Sequence, residues 1–337
     1  MDEREAIARL KRIATSEAAR GLLDDAALLD GLVLTHDSIA EGVHYLADDP
    51  PESVGWKLAA VNASDLAAKG AEPLAALLSL TLAGDGGWEA RFLDGLETAL
   101  AEFGLALIGG DTIASPKGAP RVLGLTAIGR AGPRTPSRAG GQVGDQLWLV
   151  GTLGDGAAGL AQLRADSAAT GPLVEAYRRP VPLLAAGRAL APHANAMMDV
   201  SDGLLLDASR IAAASNLGVH VDLAALPLSD AFVAGRGEDR AARLFAATGG
   251  DDYALLVVLS ETLDPFTLSL PSGTRVTAIG RLGPGEGLSL VDGGEPIPVP
   301  ERLGHEHCGH QYPPVDRRPV GAGVGHGDRN PPPLTPT

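Results

Sequence analysis

Apolar and polar positions recur along this chain with two periods, one typical of helices and one typical of strands. Ile7, Leu10 and Ile13 have helical spacing and predict a first helix over 3–19. A continuous apolar run over 74–82 is suited to a buried strand. The pattern predicts further helices at 52–69, 88–103, 156–164, 181–190 and 202–216, and further strands at 32–34, 121–130, 145–150, 253–259 and 275–279. Because the two kinds of element alternate throughout, we expect an α/β or α+β fold.

A Gly/Pro segment divides this pattern in two. Residues 132–136 read Gly-Pro-Arg-Thr-Pro, which is typical of a connection between domains. We therefore expect one α/β domain over 1–135 and a second over 136–311. From 312 to 337 the chain is rich in proline and glycine without hydrophobic periodicity, which predicts a disordered tail.

The charge balance is acidic and bears on the class of partner. Lys and Arg number 27 against 42 Asp and Glu, so the formal net charge is 27 − 42 = −15. A nucleic-acid-binding protein needs basic surface to neutralise phosphates, and we expect no such partner. If the partner is a phosphate compound, metal cations must bridge the two anions.

The cysteine count and the absence of long apolar stretches bear on disulfides, zinc binding and cellular location. The single cysteine, Cys308, allows neither an internal disulfide nor a cysteine cluster for zinc. The charged N-terminus lacks the apolar core of a signal peptide, and no stretch approaches the roughly 18 apolar residues of a membrane span. We expect a cytoplasmic protein without membrane association.

One glycine motif suggests a dinucleotide site. Residues 154–159 match G-x-G-x-x-G after a predicted strand and before a predicted helix. The acidic residue expected about 20 positions later at a second strand end is missing, because Glu175 lies in a helix-like stretch. We interpret the motif as a tight turn into a closely packed helix. A phosphate-binding P-loop is absent from the sequence.

Aspartates recur beside apolar or glycine-rich segments, at predicted strand ends and helix starts. Each could be a cap or turn residue, and Asp202 could simply cap the helix that follows it. Asp65 fits that explanation least, because it lies inside a helix, where Asp has poor propensity. Lys69 could pair with Asp65, but such a pair contributes only about 0.2–0.5 kcal/mol. Oxygen ligands without a histidine or cysteine cluster indicate Mg²⁺ rather than zinc.

The order and wording of these motifs resemble the thiamine-monophosphate kinase family. That family belongs to a superfamily with aminoimidazole ribonucleotide synthetase, selenophosphate synthetase and the hydrogenase maturation protein HypE. The segments that carry the resemblance are DDAALL at 24–29, THDS at 35–38, EGVH at 41–44, AVNASDLAAKGA at 60–71, LIGGDT at 107–112, GTLGD at 151–155, DVSDGL at 199–204 and GGDDY at 249–253.

The resemblance implies ATP-dependent phosphorylation of thiamine monophosphate to thiamine diphosphate, with several Mg²⁺ ions. It implies two α/β domains similar to aminoimidazole ribonucleotide synthetase, with mixed sheets flanked by helices and a homodimer in which the N-terminal sheets pair. We expect direct transfer without an acid or base residue, because the acceptor phosphate is already a nucleophile at neutral pH.

The resemblance also implies roles for individual residues. The implied magnesium ligands are Asp25, Thr35, Asp37, Asp65, Asp111, Asp199 and Asp202. The implied nucleotide contacts are Gly110, Asp111, Arg138 and Ser201, with Gly110 suited to close approach to phosphate oxygens. His44 and Asp251 would face the thiamine phosphate.

Five positions depart from the family pattern, and one of them is Leu23, which precedes the aspartate pair where a glycine is usual. His36 stands where a threonine is usual, and Ala254 stands where a second glutamate is common. Asp251 replaces a glutamate and is shorter by one methylene. Cys308 replaces an aromatic residue that would pack on the substrate ring. The departures at 251 and 308 concern the substrate pocket and leave the magnesium and ATP residues unchanged.

Two alternatives stay open at this point. The chain could be another ATP-dependent synthetase of the superfamily, or a non-catalytic nucleotide-binding homologue. The cysteines expected of selenophosphate synthetase and of HypE are missing from the sequence. A carboxylate inside a helix, at Asp65, favours a metal-dependent enzyme over a binding protein.

Overall fold

Two mixed β-sheets with helices packed against them form the described part of the chain. The computed structural model describes residues 3–305 apart from 117. Cys308 and the predicted tail at 312–337 therefore lie outside the described residues. The sheets and flanking helices confirm the predicted mixed α/β architecture.

The first half contains the five strands of the first sheet and three helices. In chain order these elements are α1 (Glu3–Lys11), β1 (Ala27–Leu29), β2 (Leu32–Ala40), α2 (Pro51–Ala68), β3 (Glu72–Leu82), α3 (Gly86–Phe103), β4 (Ala106–Ala114) and β5 (Val122–Arg130). The second half contains β6 (Gln146–Val150), α4 (Asp155–Ala165), α5 (Pro172–Arg178), α6 (Leu184–Leu190), β7 (Ala196–Val200), α7 (Leu204–Ala214), β8 (Gly218–Asp222), α8 (Asp230–Arg236), α9 (Arg240–Thr248), β9 (Ala254–Leu259), β10 (Val276–Gly283), β11 (Gly287–Asp292) and β12 (Glu295–Ile297). Short 3₁₀ turns lie at Glu17–Leu22, Leu223–Ala225 and Pro265–Thr267.

The first sheet has five strands in the order β1-β2-β5-β3-β4, and helices cover one of its faces. Val33 and Ile39 of β2 are buried in a core shared with Leu58 of α2 and Phe92 of α3. On the other face, His36 and Leu77 are exposed. We call this uncovered side the open face of the first sheet.

The second sheet has seven strands in the order β12-β11-β8-β10-β6-β9-β7. All residues of β7 and β9 are buried, as expected for strands covered on both faces. Asp199, the fourth residue of β7, is therefore a carboxylate in an otherwise apolar strand.

Helix α2 lies between the two sheets and belongs to both cores. Leu58 and Leu66 pack in the core of the first sheet, whereas Ala67 and Ala68 pack with residues of β7 and β9. Gly187 of α6 lies so close to α2 that a Cβ there would be 2.1 Å from the carbonyl oxygen of Ala67. We call the junction along α2 the seam.

Several elements differ from the predicted ones. The first helix ends at Lys11 rather than near residue 19, because Ser16 begins a separate 3₁₀ turn and accepts from the Ala18 N–H at 3.3 Å. The predicted strand at 32–34 continues through the THDS segment, since β2 pairs with β5 from Leu32 to Ala40. The predicted domain boundary after residue 135 falls between β5 and β6 and stays a prediction. Among the described helices, none is both long and apolar enough to cross a bilayer.

Candidate active site

Three buried carboxylates meet at the seam. Asp25 precedes β1, Asp65 lies near the end of α2, and Asp199 lies near the end of β7. Each offers a carboxylate oxygen within 4.8 Å of the others. Asp65 is 8% exposed and Asp199 is 4% exposed, so water solvates these charges poorly. We call these three residues the carboxylate cluster.

Two members of the cluster have strongly perturbed acidity. Burial, together with the nearby charges of Asp37, Asp199 and Asp25, raises the pKa of Asp65 well above its usual value. Burial and the charge of Asp25 raise the pKa of Asp199 to about 8. The hydroxyl of Thr35 donates to Asp65, and the hydroxyl of Ser64 donates to Asp199 at 2.6 Å, but neither supplies positive charge. The cluster therefore carries more negative charge than its surroundings neutralise.

Asp25 differs because two cations contact it. Burial raises its pKa, but the charges of Lys69 and Arg138 outweigh burial, and the pKa is lowered. Lys69 Nζ lies 2.7 Å from Asp25 Oδ2 and 2.5 Å from Asp24 Oδ1, while Arg138 Nε donates to Asp25 Oδ1 at 2.8 Å. Lys69 thus pairs with the aspartates before β1 and not with Asp65, the partner considered from the sequence.

A cavity of about 870 Å³ opens beside the cluster and spans both halves of the chain. Its lining includes nine of the residues that the resemblance implied, namely Asp25, Asp37, His44, Asp65, Arg138, Asp199, Ser201, Asp202 and Asp251. Thr35 contacts the cluster directly through Asp65. Asn62, whose side chain accepts from the Asp37 N–H at 2.9 Å, ties β2 to α2 beside the cavity.

Asp202 does not cap the following helix. Helix α7 begins after Gly203 and has no side-chain cap. Instead Arg210 donates to Asp202 at 2.5 Å and to Asp207 at 2.9 Å. Burial and the charge of Asp202 raise the pKa of the fully buried Asp207 to about 7.

Comparison with known proteins assigns the chain to a family. The model of the AIR synthase related protein N-terminal domain matches residues 23–131, and that of the C-terminal domain matches 142–293. Thiamine-monophosphate kinase of Caulobacter vibrioides is 39% identical over 323 residues, covering 89% of each chain. Thiamine-monophosphate kinase of Escherichia coli K12 is 37% identical over 303 residues, covering 85% of this chain and 91% of its own. The chain belongs to the thiamine-monophosphate kinase family.

A solved structure supports the same assignment for the fold. AaThiL complexed with AMPPCP and TMP superposes with a TM-score of 0.78 at 31% identity, covering 91% of this chain and 97% of its own. The resemblance read from the sequence motifs is confirmed.

Two residues expected in a thiamine-monophosphate kinase site lie away from the cavity within this chain. Gly110 and Asp111 are on β4, the edge strand. Asp111 aligns with Ser79 of β3, then with Gly124 of β5, then with Ser38 of β2. Asp111 is therefore three interstrand spacings, about 14 Å, from β2, the strand that carries Thr35 and Asp37.

Gly110 also has a packing role on β4. A Cβ at that position would lie 2.0 Å from the carbonyl oxygen of Leu78 on the neighbouring strand. The absence of a side chain is therefore explained by strand packing, independently of any nucleotide.

The glycine motif at 154–159 is a packed turn, as interpreted from the sequence. Both carboxylate oxygens of Asp252 accept from the Gly154 N–H at 2.9 Å, so a protein carboxylate occupies the start of α4 where a dinucleotide would need its phosphate. A Cβ on Gly159 would lie 2.0 Å from the carbonyl oxygen of Leu173. The motif brings α4 against α5.

The His36 departure lies on the open face. Its Nδ1 is 2.9 Å from the hydroxyl of Thr126 on β5. Thr35 and Asp37 alternate with it and face the seam. Replacing the usual threonine therefore leaves the carboxylates of the cleft unchanged in this chain.

Sequence reasoning missed three residues of the site, Lys57, Asp207 and Tyr253. Lys57 is 2% exposed, and its sequence context in α2 gives no sign that its charge has a partner nearly 200 residues away. Asp207 lies in a helix at a spacing typical of a surface pair with Arg210. Tyr253 donates from its hydroxyl to Asp251 at 2.8 Å, and both residues have a left-handed backbone conformation.

Proposed function

We propose that this chain phosphorylates thiamine monophosphate with ATP, giving thiamine diphosphate and ADP. The observation that carries the proposal is the carboxylate cluster, which stands in the cleft of a chain 37–39% identical to thiamine-monophosphate kinases over most of its length. AMPPCP is an ATP analogue, so the related AaThiL complex supports ATP as the phosphoryl donor.

We propose Mg²⁺ as the cation of the cluster. The donor set is made of carboxylate and hydroxyl oxygens, which magnesium prefers, and contains no thiolate. The raised pKa values of Asp65 and Asp199 mean that these buried carboxylates need positive charge to ionise together near neutral pH. The residues present therefore fit a divalent cation, with Asp25, Asp65 and Asp199 as ligands. Thr35 and Asp37 lie next to them, and Asp202 lines the same cavity.

In the transfer, bound magnesium would neutralise charge on the phosphate oxygens of both substrates. An oxygen of the acceptor phosphate attacks the γ-phosphorus of ATP, and the bond to the ADP oxygen breaks. No side chain needs to remove a proton, because the acceptor oxygen is already ionised at neutral pH. The protein positions the two phosphates in line, with Arg138 and Ser201 on the nucleotide and with His44 and Asp251 on thiamine monophosphate.

We propose that a second copy of the chain completes the nucleotide site. Gly110 and Asp111 lie about 14 Å from β2 by strand spacing. In a dimer, these residues of one subunit would contact the nucleotide in the cavity of the other. The open face and edge strand support pairing of two first sheets, since Ile108 is 61% exposed and Ile113 is 57% exposed. Such a homodimer would bury these aliphatic side chains. Because ATP is supplied there, we also propose a cytoplasmic location.

The test is product formation by the purified full-length chain. Thiamine monophosphate, ATP and MgCl₂ should give stoichiometric thiamine diphosphate and ADP, resolved by chromatography, and chelation of the metal should stop the reaction. If the protein binds ATP in the presence of Mg²⁺ but makes no thiamine diphosphate, the kinase proposal is rejected in favour of a binding protein.

A further inference from the structure

A buried ammonium group lies behind the substrate end of the cavity. Lys57, on α2, is 2% exposed, and its Nζ donates to the carbonyl oxygen of His44 at 3.0 Å and to Asp251 Oδ2 at 2.9 Å. Nζ also lies 3.9 Å from the centre of the Tyr177 ring. These three contacts occupy an ammonium group, which has three N–H donors and no acceptor.

The contacts of Lys57 join segments from both halves of the chain. His44 belongs to the loop after β2 in the first half, whereas Asp251 precedes β9 in the second half. Both residues line the cavity, and both are assigned to thiamine monophosphate in the proposed function. One side chain thus contacts both residues that the proposed function assigns to the acceptor substrate.

Asp251 is held from two directions. Its backbone N–H donates to the carbonyl oxygen of Ser201 at 2.9 Å, which fixes the main chain to the second half. Its side chain accepts from Tyr253 at one oxygen and from Lys57 at the other. The residue has a φ of 68°, a left-handed conformation that costs energy in a residue with a side chain. The neighbouring contacts therefore determine where the carboxylate points.

Lys57 compensates charge as well as fixing geometry. Its other two partners, a carbonyl oxygen and an aromatic ring, are uncharged, so the carboxylate that its ammonium group neutralises is that of Asp251. The Asp251 side chain is 26% exposed, and its outer part faces the cavity. The shorter reach of aspartate compared with the usual glutamate makes its exact direction more critical.

His44 is also oriented by its neighbours. The Ala40 N–H donates to Nδ1 at 3.0 Å, so the neutral ring carries its proton on Nε2. The Tyr177 hydroxyl lies 3.5 Å from the same His44 carbonyl oxygen that Lys57 contacts. Lys57 and Tyr177 therefore fix the backbone of this residue, and Ala40 fixes its ring.

We propose that Lys57 is a positioning residue for thiamine monophosphate, acting through the Asp251 carboxylate and the His44 loop without touching the substrate. The inference rests on the proposed function and adds to it a residue behind the substrate pocket. It assigns Lys57 to recognition of the acceptor and not to the nucleotide or the metal, which lie with the carboxylate cluster.

The first test is Lys57→Met, which keeps the length and apolar stem but removes the charge. We expect KM for thiamine monophosphate to rise about 10- to 100-fold, the change that corresponds to losing one charge-assisted hydrogen bond. The value of kcat and the KM for ATP should change less than about threefold, because a lost ground-state contact acts on binding of one substrate. An equal loss for both substrates would contradict the proposal and indicate a general structural role.

The second test is the coupling between Lys57 and Asp251. Asp251→Asn should raise the same KM selectively, and adding Lys57→Met to it should raise KM by less than Lys57→Met does alone, since part of its effect passes through Asp251. Effects that multiply independently would overturn the proposal. If Lys57→Met fails to fold, as judged by circular dichroism, Asp251→Asn alone decides, because an unchanged KM in that variant would also refute it.

Arg91→Met is the matched control. It breaks the exposed pair, 2.6 Å apart, between Arg91 Nε on α3 and Glu52 Oε1 on α2, the helix that carries Lys57. Both KM values should stay unchanged in this variant. Wild-type protein that makes no thiamine diphosphate would reject the proposed function itself, an outcome distinct from failure of the Lys57 inference.

Discussion

Asp65 lies in the last turns of α2 with its carboxylate against those of Asp25 and Asp199. A few tenths of a kcal/mol from a helix-surface pair could not offset such burial. The hydroxyl groups of Thr35 and Ser64 orient two of the carboxylates but leave their charge uncompensated. Placing these carboxylates together is therefore costly for the protein alone, and the proposed cation would offset that cost.

The acidity of Asp199 predicts how magnesium affinity depends on pH. Its pKa of about 8 in the folded protein exceeds the ordinary value of 3.8, so below pH 8 the folded protein holds a proton that the metal must displace. For one displaced proton, affinity should be about 25-fold weaker at pH 6.5 than at pH 8.5. Calorimetric titration of Mg²⁺ in buffers of different ionisation enthalpy measures both the affinity and the proton release. An affinity independent of pH would contradict an Asp199 ligand.

The raised pKa of Asp199 also affects the stability of the folded protein in the absence of metal. Because the folded-state pKa is raised, the contribution of Asp199 to stability is present below pH 3.8 and is lost as the pH rises through about 8. Stabilisation by Mg²⁺ should accordingly be larger at pH 8 than at pH 6, as seen in thermal unfolding.

At the scale of elements, the glycine motif at the start of α4 determines how two helices approach. Gly159→Ala would place a Cβ 2.0 Å from the carbonyl oxygen of Leu173, so we expect a loss of about 1–3 kcal/mol in the free energy of unfolding. Gly86→Ala is the control, because nothing lies within 4 Å of a Cβ at this first residue of α3. Urea unfolding measures both, and equal stability of the two variants would show that α4 and α5 are not tightly packed.

The sequence predicts the long apolar elements α2 and β3 well, whereas it does not reveal the short buried strand β7. Helix α2 and strand β3 were predicted within two residues of their ends, since their apolar runs are long. Strand β7 was missed because five buried residues, Ala-Met-Met-Asp-Val, have no alternation to distinguish strand from loop. The THDS segment resembles a turn locally and becomes a strand only because β5 pairs with it.

The candidate site also contains residues that the sequence predicts and residues that it does not. Family motifs identified the aspartates of the cleft, because their spacing along the chain is distinctive. The partners of those aspartates could not be identified from sequence, since Lys57 and Asp251 come together only through packing of the two halves at the seam.

At the scale of the whole molecule, the proposed dimer accounts for the open face and for the distance of Asp111 from the cluster. Leu77→Glu would place a charge on the open face, where Leu77 is 38% exposed. We expect this variant to be monomeric by light scattering and to lose activity, because a monomer cannot bring Asp111 to a partner's cleft.

Leu93→Glu is the control for that variant. Leu93 is 41% exposed on α3, on the other side of the sheet, and its replacement should leave a dimer with wild-type activity. A Leu77→Glu variant that stays dimeric, or an active monomer, would contradict the proposed arrangement.

The central claim is that buried carboxylates from both halves form one magnesium site that drives phosphoryl transfer, and Asp65 tests it most directly. The measurement is the rate of thiamine diphosphate formation by Asp65→Asn, with the exposed Asp94→Asn on α3 as control. The account predicts a loss on the order of 100-fold or more for Asp65→Asn, with its thermal transition retained and the control unaffected. A wild-type rate from Asp65→Asn would contradict the account.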